Sequence, residues 1–185
     1  ALFKIYVFLT VVCAIAYWVA GMSWFDALSH SFSTISIGGF STYDESLGHF
    51  DNNAVLTIAS IFMVVSGLNF ALHYTAWHAR SIKSYISDPE ARLFVLVILF
   101  GILVTTYFLY TTASMPNEEI LFVGVFQLIS ILTTTGFTTT EFHLWPSFLP
   151  FFLILLSFFG ACAGSTGGGI KTVSYTHLRA HETSH

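Results

Sequence analysis

The sequence predicts an all-α integral membrane protein built from two tandem span–short helix–span repeats. Three observations lead there. The first is composition. Of 185 residues, 55% are hydrophobic and only 9% charged, with a mean hydropathy of +0.75. A soluble domain carries about a quarter charged residues, so this chain lacks the charge to coat a water-facing surface. The second is the placement of charge. Lys4, Arg80, Lys83, Arg92, Lys171 and Arg179 are all the basic residues, and all fall at the N-terminus, after the second apolar segment, or after the last. The third is an internal echo. The stretch Ser33-Thr-Ile-Ser-Ile-Gly-Gly-Phe-Ser-Thr42 is matched, at a constant offset of 97 residues, by Ser130-Ile-Leu-Thr-Thr-Thr-Gly-Phe-Thr-Thr139.

The elements follow in order. Residues 2–22, 55–79, 93–111 and 148–163 are predicted spans, the last continuing toward Lys171, since about 20 apolar residues cross the hydrocarbon. The first is too long for a signal-peptide core and lacks a small-residue cleavage pattern, so it reads as a retained span. Residues 24–35 and 118–132 are helical but too short to cross. Ser23 with Asp26 resembles a capping box, and Pro116-Asn117-Glu118-Glu119 supplies a cap and first-turn acids. Basic residues mark the cytoplasmic side, which puts the N-terminus and the loop 80–92 inside. Asp26, Asp44, Glu45, Asp51, Glu118, Glu119 and Glu141 then fall outside. The predicted path is a span inward to outward, a short re-entrant helix, a polar loop and a span back, performed twice.

The repeat aligns without a gap. Ser33 meets Ser130, Ser36 meets Thr133, Gly39 meets Gly136, Phe40 meets Phe137 and Gly67 meets Gly164. Repeated units in membrane proteins commonly hold the functional site between them. Non-helical backbone at membrane depth is tolerated only where it lines a watery path. Residues 36–42 and 133–139 are such backbone, and glycine there frees carbonyls to point where a side chain would forbid. Hydroxyls of Ser36, Thr133, Thr134 and Thr135 are expected to add oxygen. Rings of oxygen replace a cation's hydration shell, and the negative end of each short helix favours the same charge. An ordinary turn between hairpin helices is the competing reading of either copy alone.

The segments 33–42 and 133–141, with Cys162-Ala-Gly-Ser-Thr-Gly-Gly-Gly-Ile-Lys171, resemble the TrkH-like potassium uptake subunits of the Trk/Ktr/HKT superfamily. Gly-Leu-Asn-Phe-Ala-Leu-His (67–73) and Trp-His-Ala-Arg (77–80) fit as well. The resemblance runs from about residue 1 to about 172. It implies four span–pore-helix–span repeats around one pore, a pseudo-fourfold channel-like fold, of which this chain would be the second and third repeats. The expected division is 1–80 for one repeat, 81–92 for a cytoplasmic linker, 93–172 for the next repeat, and 173–185 for a non-native tail. The filter glycines carry over to Gly39 and Gly136, with Ser36, Ile37, Gly38 and Phe40, and Thr133, Thr134, Thr135 and Phe137, beside them. Potassium, as transported cargo, would be held at Ile37, Gly38, Gly39, Thr134, Thr135 and Gly136. Both filter glycines are retained, which in this superfamily favours potassium over sodium. The intramembrane gate carries over to Gly164, Ser165, Thr166, Gly167, Gly168 and Gly169, with Lys171 beside it. Four glycines among those six residues also disfavour helix on their own, by about 1 kcal/mol each. The resemblance further implies a bacterial inner-membrane location, the missing repeats of the same protein, a homodimer and a cytoplasmic nucleotide-binding regulatory subunit. No cofactor and no nucleic acid are expected. Two repeats alone are not expected to conduct.

Several features are decoys. The 164–169 glycines imitate a phosphate loop, but Ile170 stands where the lysine is needed. Ser165 with His73 as base suggests an intramembrane hydrolase, yet Ala163 breaks the Gly-x-Ser-x-Gly elbow. A purely structural membrane scaffold is the third reading. Cys13 and Cys162 read as packing thiols, His30 as structural, His73 as a packing or vestibule residue, His78 as interfacial, and Asn69 as packing against the short helix.

Overall fold

A computed structural model of the chain describes residues 2–112, 119–145 and 148–169. Among these residues the regular structure is entirely helical. In chain order the helices are α1 (Leu2–Val19), α2 (Trp24–Ile35), α3 (Asn53–Gly67), α4 (Phe70–Ala79), α5 (Lys83–Ser87), α6 (Pro89–Thr111), α7 (Val125–Leu132) and α8 (Phe148–Phe159). Two are long and apolar enough to cross a membrane, α1 and α6. The expected start signals hold where they are described. Ser23 caps α2, its Oγ accepting from the Asp26 N–H at 3.1 Å and donating to Asp26 Oδ2 at 2.6 Å. Residues 116–118 lie outside the described residues, and α7 is entered through a π-type turn at Ile120–Gly124.

The predicted span 55–79 is not one helix. It is broken into α3 and α4, which meet at 92°. Leu68 is extended there, and the Asn69 Oδ1 accepts from the Ala71 N–H at 2.8 Å, starting α4 afresh. Asn69 is therefore a helix cap rather than a packing residue against the short helix. Gly67 lets this corner close on its neighbour: an added Cβ would stand 2.8 Å from the Phe94 ring. The predicted span 148–163 also stops early. Helix α8 ends at Phe159 after 12 residues, about 18 Å of rise against about 30 Å of hydrocarbon. Gly160, at φ +59°, turns the chain back so closely that a side chain would overlap the Gly168 carbonyl.

The two repeats share their core. One buried cluster joins Cys13 and Tyr17 of α1, Ala27 and Ile35 of α2 and Met63 of α3 to Phe126, Ile129 and Phe137 of the second repeat. A second gathers Phe94, Ile98 and Leu109 of α6 around Leu128, Leu132, Leu149, Leu153 and Cys162. Both cysteines are buried and free, as packing thiols are. The outward faces are apolar too. Val11, Ile15, Trp18, Leu96, Leu99, Leu103, Ile154 and Phe158 are exposed, a surface suited to lipid and not to water. Tyr17 joins α1 to α2 through a 2.8 Å hydrogen bond with Thr34 Oγ1.

Candidate ion-coordinating loops

Each short helix ends in the same way. Ser36 and Thr133, the two C-caps, have φ,ψ of −77°,−6° and −74°,−6°. The backbone bonds repeat residue for residue. Ile37 N–H donates to Thr34 O at 3.1 Å and Gly38 N–H to Ser33 O at 2.8 Å; Thr134 N–H donates to Ile131 O at 3.0 Å and Thr135 N–H to Ser130 O at 2.9 Å. This is a Schellman ending, which places its left-handed residue just past the cap, normally glycine. Here that residue is β-branched in both copies, Ile37 at φ +54° and Thr134 at φ +65°. Each costs about 1–2 kcal/mol, and strain of this kind gathers at functional sites. Two residues on, Gly39 (+68°) and Gly136 (+88°) are left-handed again.

The carbonyls of Ile37, Gly38 and Gly39, and of Thr134, Thr135 and Gly136, accept no hydrogen bond from a described residue. Two carbonyls near them are bonded. Ile35 O accepts from Thr166 Oγ1 at 2.8 Å, and Phe137 O accepts from Ser130 Oγ at 2.7 Å. The two loops touch: a Cβ on Gly39 would run into the Thr135 carbonyl and stand 3.2 Å from the Gly136 carbonyl carbon. Gly136 has open space on the corresponding side.

The hydroxyls are hydrogen-bonded within the protein. Thr133 Oγ1 donates to Ile129 O at 2.7 Å and lies 2.7 Å from Thr135 Oγ1, both side chains being buried. Thr134 Oγ1 accepts from the Gly168 N–H at 2.9 Å, and Ser36 Oγ donates back to Ser33 O at 3.3 Å. A hydroxyl one turn from an unpaired helix carbonyl bonds that carbonyl through its hydrogen, which leaves oxygen lone pairs on the hydroxyl as well as on the backbone carbonyls.

Beneath the loops runs the glycine-rich segment. Besides the Thr166 and Gly168 bonds, Gly167 packs so close that an added Cβ would meet Ala161 Cβ at 2.5 Å and Thr133 O at 3.2 Å. Ser165 Oγ donates to Cys162 O at 2.6 Å. The segment is thus tied to the end of α2 and to the second loop at once. Asp51, Glu119 and Glu141 line one cleft between the repeats.

The cation transport protein family TrkH matches residues 1–183. The chain belongs to the TrkH family. It is 48% identical over 173 residues to the Trk system potassium uptake protein TrkH of Halomonas elongata, covering 94% of this chain and 36% of that relative. It is 46% identical over 177 residues to the protein of the same name from Escherichia coli K12, covering 93% and 36%. The crystal structure of the potassium transporter TrkH from Vibrio parahaemolyticus superposes with a TM-score of 0.93 at 46% identity, covering 98% of this chain and 40% of that one. The chain therefore spans about a third of the length of the curated relatives it matches.

In this TrkH-family chain the two loops are braced differently. The first is held by side chains of α2. Asp26 Oδ1 accepts from Thr42 Oγ1 at 2.8 Å, and its Oδ2 from Tyr43 OH at 3.2 Å. His30 spans Asp26 O at 2.8 Å and Ser41 Oγ at 2.9 Å, a structural role as expected. Burial pushes the Asp26 carboxyl up, but the bonds from Ser23, Thr42 and Tyr43 outweigh it and hold the group below the ordinary 3.8. The second loop is held by Gln127, which stands where His30 stands in the first. Gln127 Nε2 donates to Phe137 O at 3.5 Å, and Thr139 N–H donates to its Oε1 at 3.4 Å. Phe137 is fully buried beside the His30 ring, with centroids 6.2 Å apart, whereas Phe40 is 81% exposed. The Asp26 brace was not foreseen. Its position is Val123 in the second repeat, so the alignment carried no signal for it.

Ser165 and His73 are not a catalytic pair. Both ring nitrogens of His73 are engaged, Nε2 with Val65 O at 2.9 Å and Nδ1 with Tyr85 OH at 2.7 Å. His78 is exposed, as an interfacial residue is. Lys171 and the tail 173–185 lie outside the described residues.

Proposed function

We propose that this chain forms part of a potassium-conducting path, in which backbone carbonyls of the two loops replace water around the ion. Ile37, Gly38 and Gly39 contribute from one side, Thr134, Thr135 and Gly136 from the other. The observation that carries this is a pair of left-handed, unpaired-carbonyl loops, equivalent bond for bond and in contact with each other. Carbonyl rings of this kind select alkali ions. The relatives are named potassium uptake proteins, which supports the choice of ion. Phe40 and Phe137 occupy the last matching filter positions, and Ser36 and Thr133 close the helices that aim at the site.

Two loops do not surround an ion. The open side at Gly136 and the exposed Phe40 are the places where further repeats of the same protein complete the ring. Gly164 through Gly169, with Lys171, form the gate of this path. Potassium is cargo, and no resident cofactor enters the path. The protein sits in the bacterial inner membrane with its N-terminus and the linker 81–92 inside. It pairs as a homodimer and is regulated by a cytoplasmic nucleotide-binding subunit; the relatives' designation as parts of a "Trk system" supports an assembly. The test is potassium uptake by the full-length protein in cells lacking other potassium transporters. Gly39→Ser and Gly136→Ser should each lower affinity and potassium-over-sodium preference. If both leave the two quantities untouched, the filter reading fails.

A further inference from the structure

We propose that Glu90, in the first turn of α6, is a positioning residue for the glycine-rich segment. Through it, and through Tyr85, the linker sets where that segment lies. The proposal rests on the reading of 164–169 as a gate.

Helix α6 does not need Glu90 as its cap. Asp88 fills that role, its Oδ1 accepting from the Ala91 N–H at 2.8 Å. A first-turn acid suits the helix dipole, but the dipole does not account for where the carboxylate goes. Glu90 Oε2 accepts from the Ala163 N–H at 3.3 Å, 73 residues along the chain. Ala163 is the middle of three pinned residues. On one side, Cys162 N–H donates to Gly67 O at 2.9 Å; on the other, Gly164 O accepts from the Phe70 N–H at 3.1 Å. The start of the segment is therefore fastened to the end of α3, the first turn of α6 and the first turn of α4.

The same corner is fastened to the linker from its other side. Val65 O can only accept, so His73 Nε2 carries the hydrogen and Nδ1 accepts from the Tyr85 hydroxyl. Tyr85 lies on α5 and Glu90 at the start of α6, with one proline-marked turn between them. From this fastened block the segment continues to Thr166 on Ile35 O and Gly168 on Thr134 Oγ1, beneath both loops. A displacement of the linker is thus delivered to the segment over a few bonds. Loss of the Glu90 acceptor frees the Ala163 N–H and with it one of the three fastenings.

The experiment is single-channel recording of the full-length protein in bilayers. Glu90→Gln keeps an oxygen at the acceptor position and should leave the open-to-closed ratio within about twofold of wild type. Glu90→Ala should raise that ratio about fivefold, the size one net hydrogen bond supplies. Unitary conductance and ion preference should stay unchanged. Tyr85→Phe removes one oxygen and should shift the ratio the same way by a smaller factor. The proposal is overturned if Glu90→Ala matches wild type, if Gln and Ala are equally altered, or if conductance and preference move as well. Should Glu90→Ala fail to reach the membrane, an unchanged ratio in Tyr85→Phe overturns it. Gly167→Ala tests the gate separately: if it leaves the ratio alone, the gate reading fails whatever Glu90 does.

Discussion

The loop at 36–40 and the loop at 133–137 have one backbone and two kinds of support. Their caps, left-handed positions and helix-end bonds coincide at an offset of 97 residues. What surrounds them does not. The first is gripped by a carboxylate and an imidazole that reach the hydroxyls of Ser41, Thr42 and Tyr43. The second is gripped at its own backbone, by Gln127 and Ser130 on Phe137 O. Below, Thr134 bonds the glycine-rich segment, whereas Ile37 offers only a methyl near Gly167. The difference teaches that the carbonyl geometry is the shared requirement, and that each repeat reaches it with whatever its neighbours allow.

The largest expected effect lies at Gly39. Its Cβ would overlap a backbone carbonyl of the other loop, and backbone cannot step aside as a flexible side chain can. Gly39→Ala should cut potassium uptake by at least tenfold, read as initial rates at matched expression; unchanged rates would break the claim that the loops touch. Gly136→Ala sharpens the comparison. Strain at φ +88° alone costs about 1 kcal/mol, roughly a fivefold effect. If a further repeat closes on Gly136 as Thr135 closes on Gly39, the loss in the full-length protein should instead equal that of Gly39→Ala.

Next comes the floor beneath the loops. Thr134→Val removes the acceptor of the Gly168 N–H while keeping the β-branch. A net hydrogen bond is worth about 1 kcal/mol, so background cation leak should rise about fivefold with ion preference intact. A change in preference without leak would place Thr134 in the filter only. Smaller again is His30→Gln, which gives the first repeat the second repeat's residue. Uptake should fall by no more than about threefold, since glutamine can still bond the chain behind the loop; a null phenotype would show the supports are not interchangeable.

The smallest effect concerns pH. The Asp26 carboxyl is held below its ordinary value in the folded chain, so its contribution is fully present above pH 3.8 and is lost as pH falls through the lowered folded value. Melting temperature in detergent should therefore show an acid-limb loss that Asp26→Asn reduces, with no difference between the two proteins' slopes near neutrality.

Much of this was legible in the residues. The repeat, the short helices, the Ser23 cap and the two loops follow from periodicity, glycine and hydroxyl placement. The corner at Leu68–Asn69 was not, because apolar residues continue through it and an asparagine in such a run reads equally as packing. The early end of α8 was hidden for the same reason: Phe158 and Phe159 extend the apolar pattern up to Gly160, and only the fold shows the chain doubling back there. The partners of the hydroxyls were hidden because a threonine after a helix looks the same whether its oxygen faces an ion or the preceding turn. Asp26 and His30 gave no repeat signal, since Val123 and Gln127 replace them.

The central claim is that backbone oxygen at Ile37–Gly39 and Thr134–Gly136 holds the ion. Crystals of the full-length protein grown with thallium, a potassium mimic with strong anomalous scattering, test it most directly. The account predicts anomalous density on the axis between the two loops, in direct coordination with those carbonyls. Density confined to the acidic cleft between the repeats, or bound instead to the threonine hydroxyls, would contradict it.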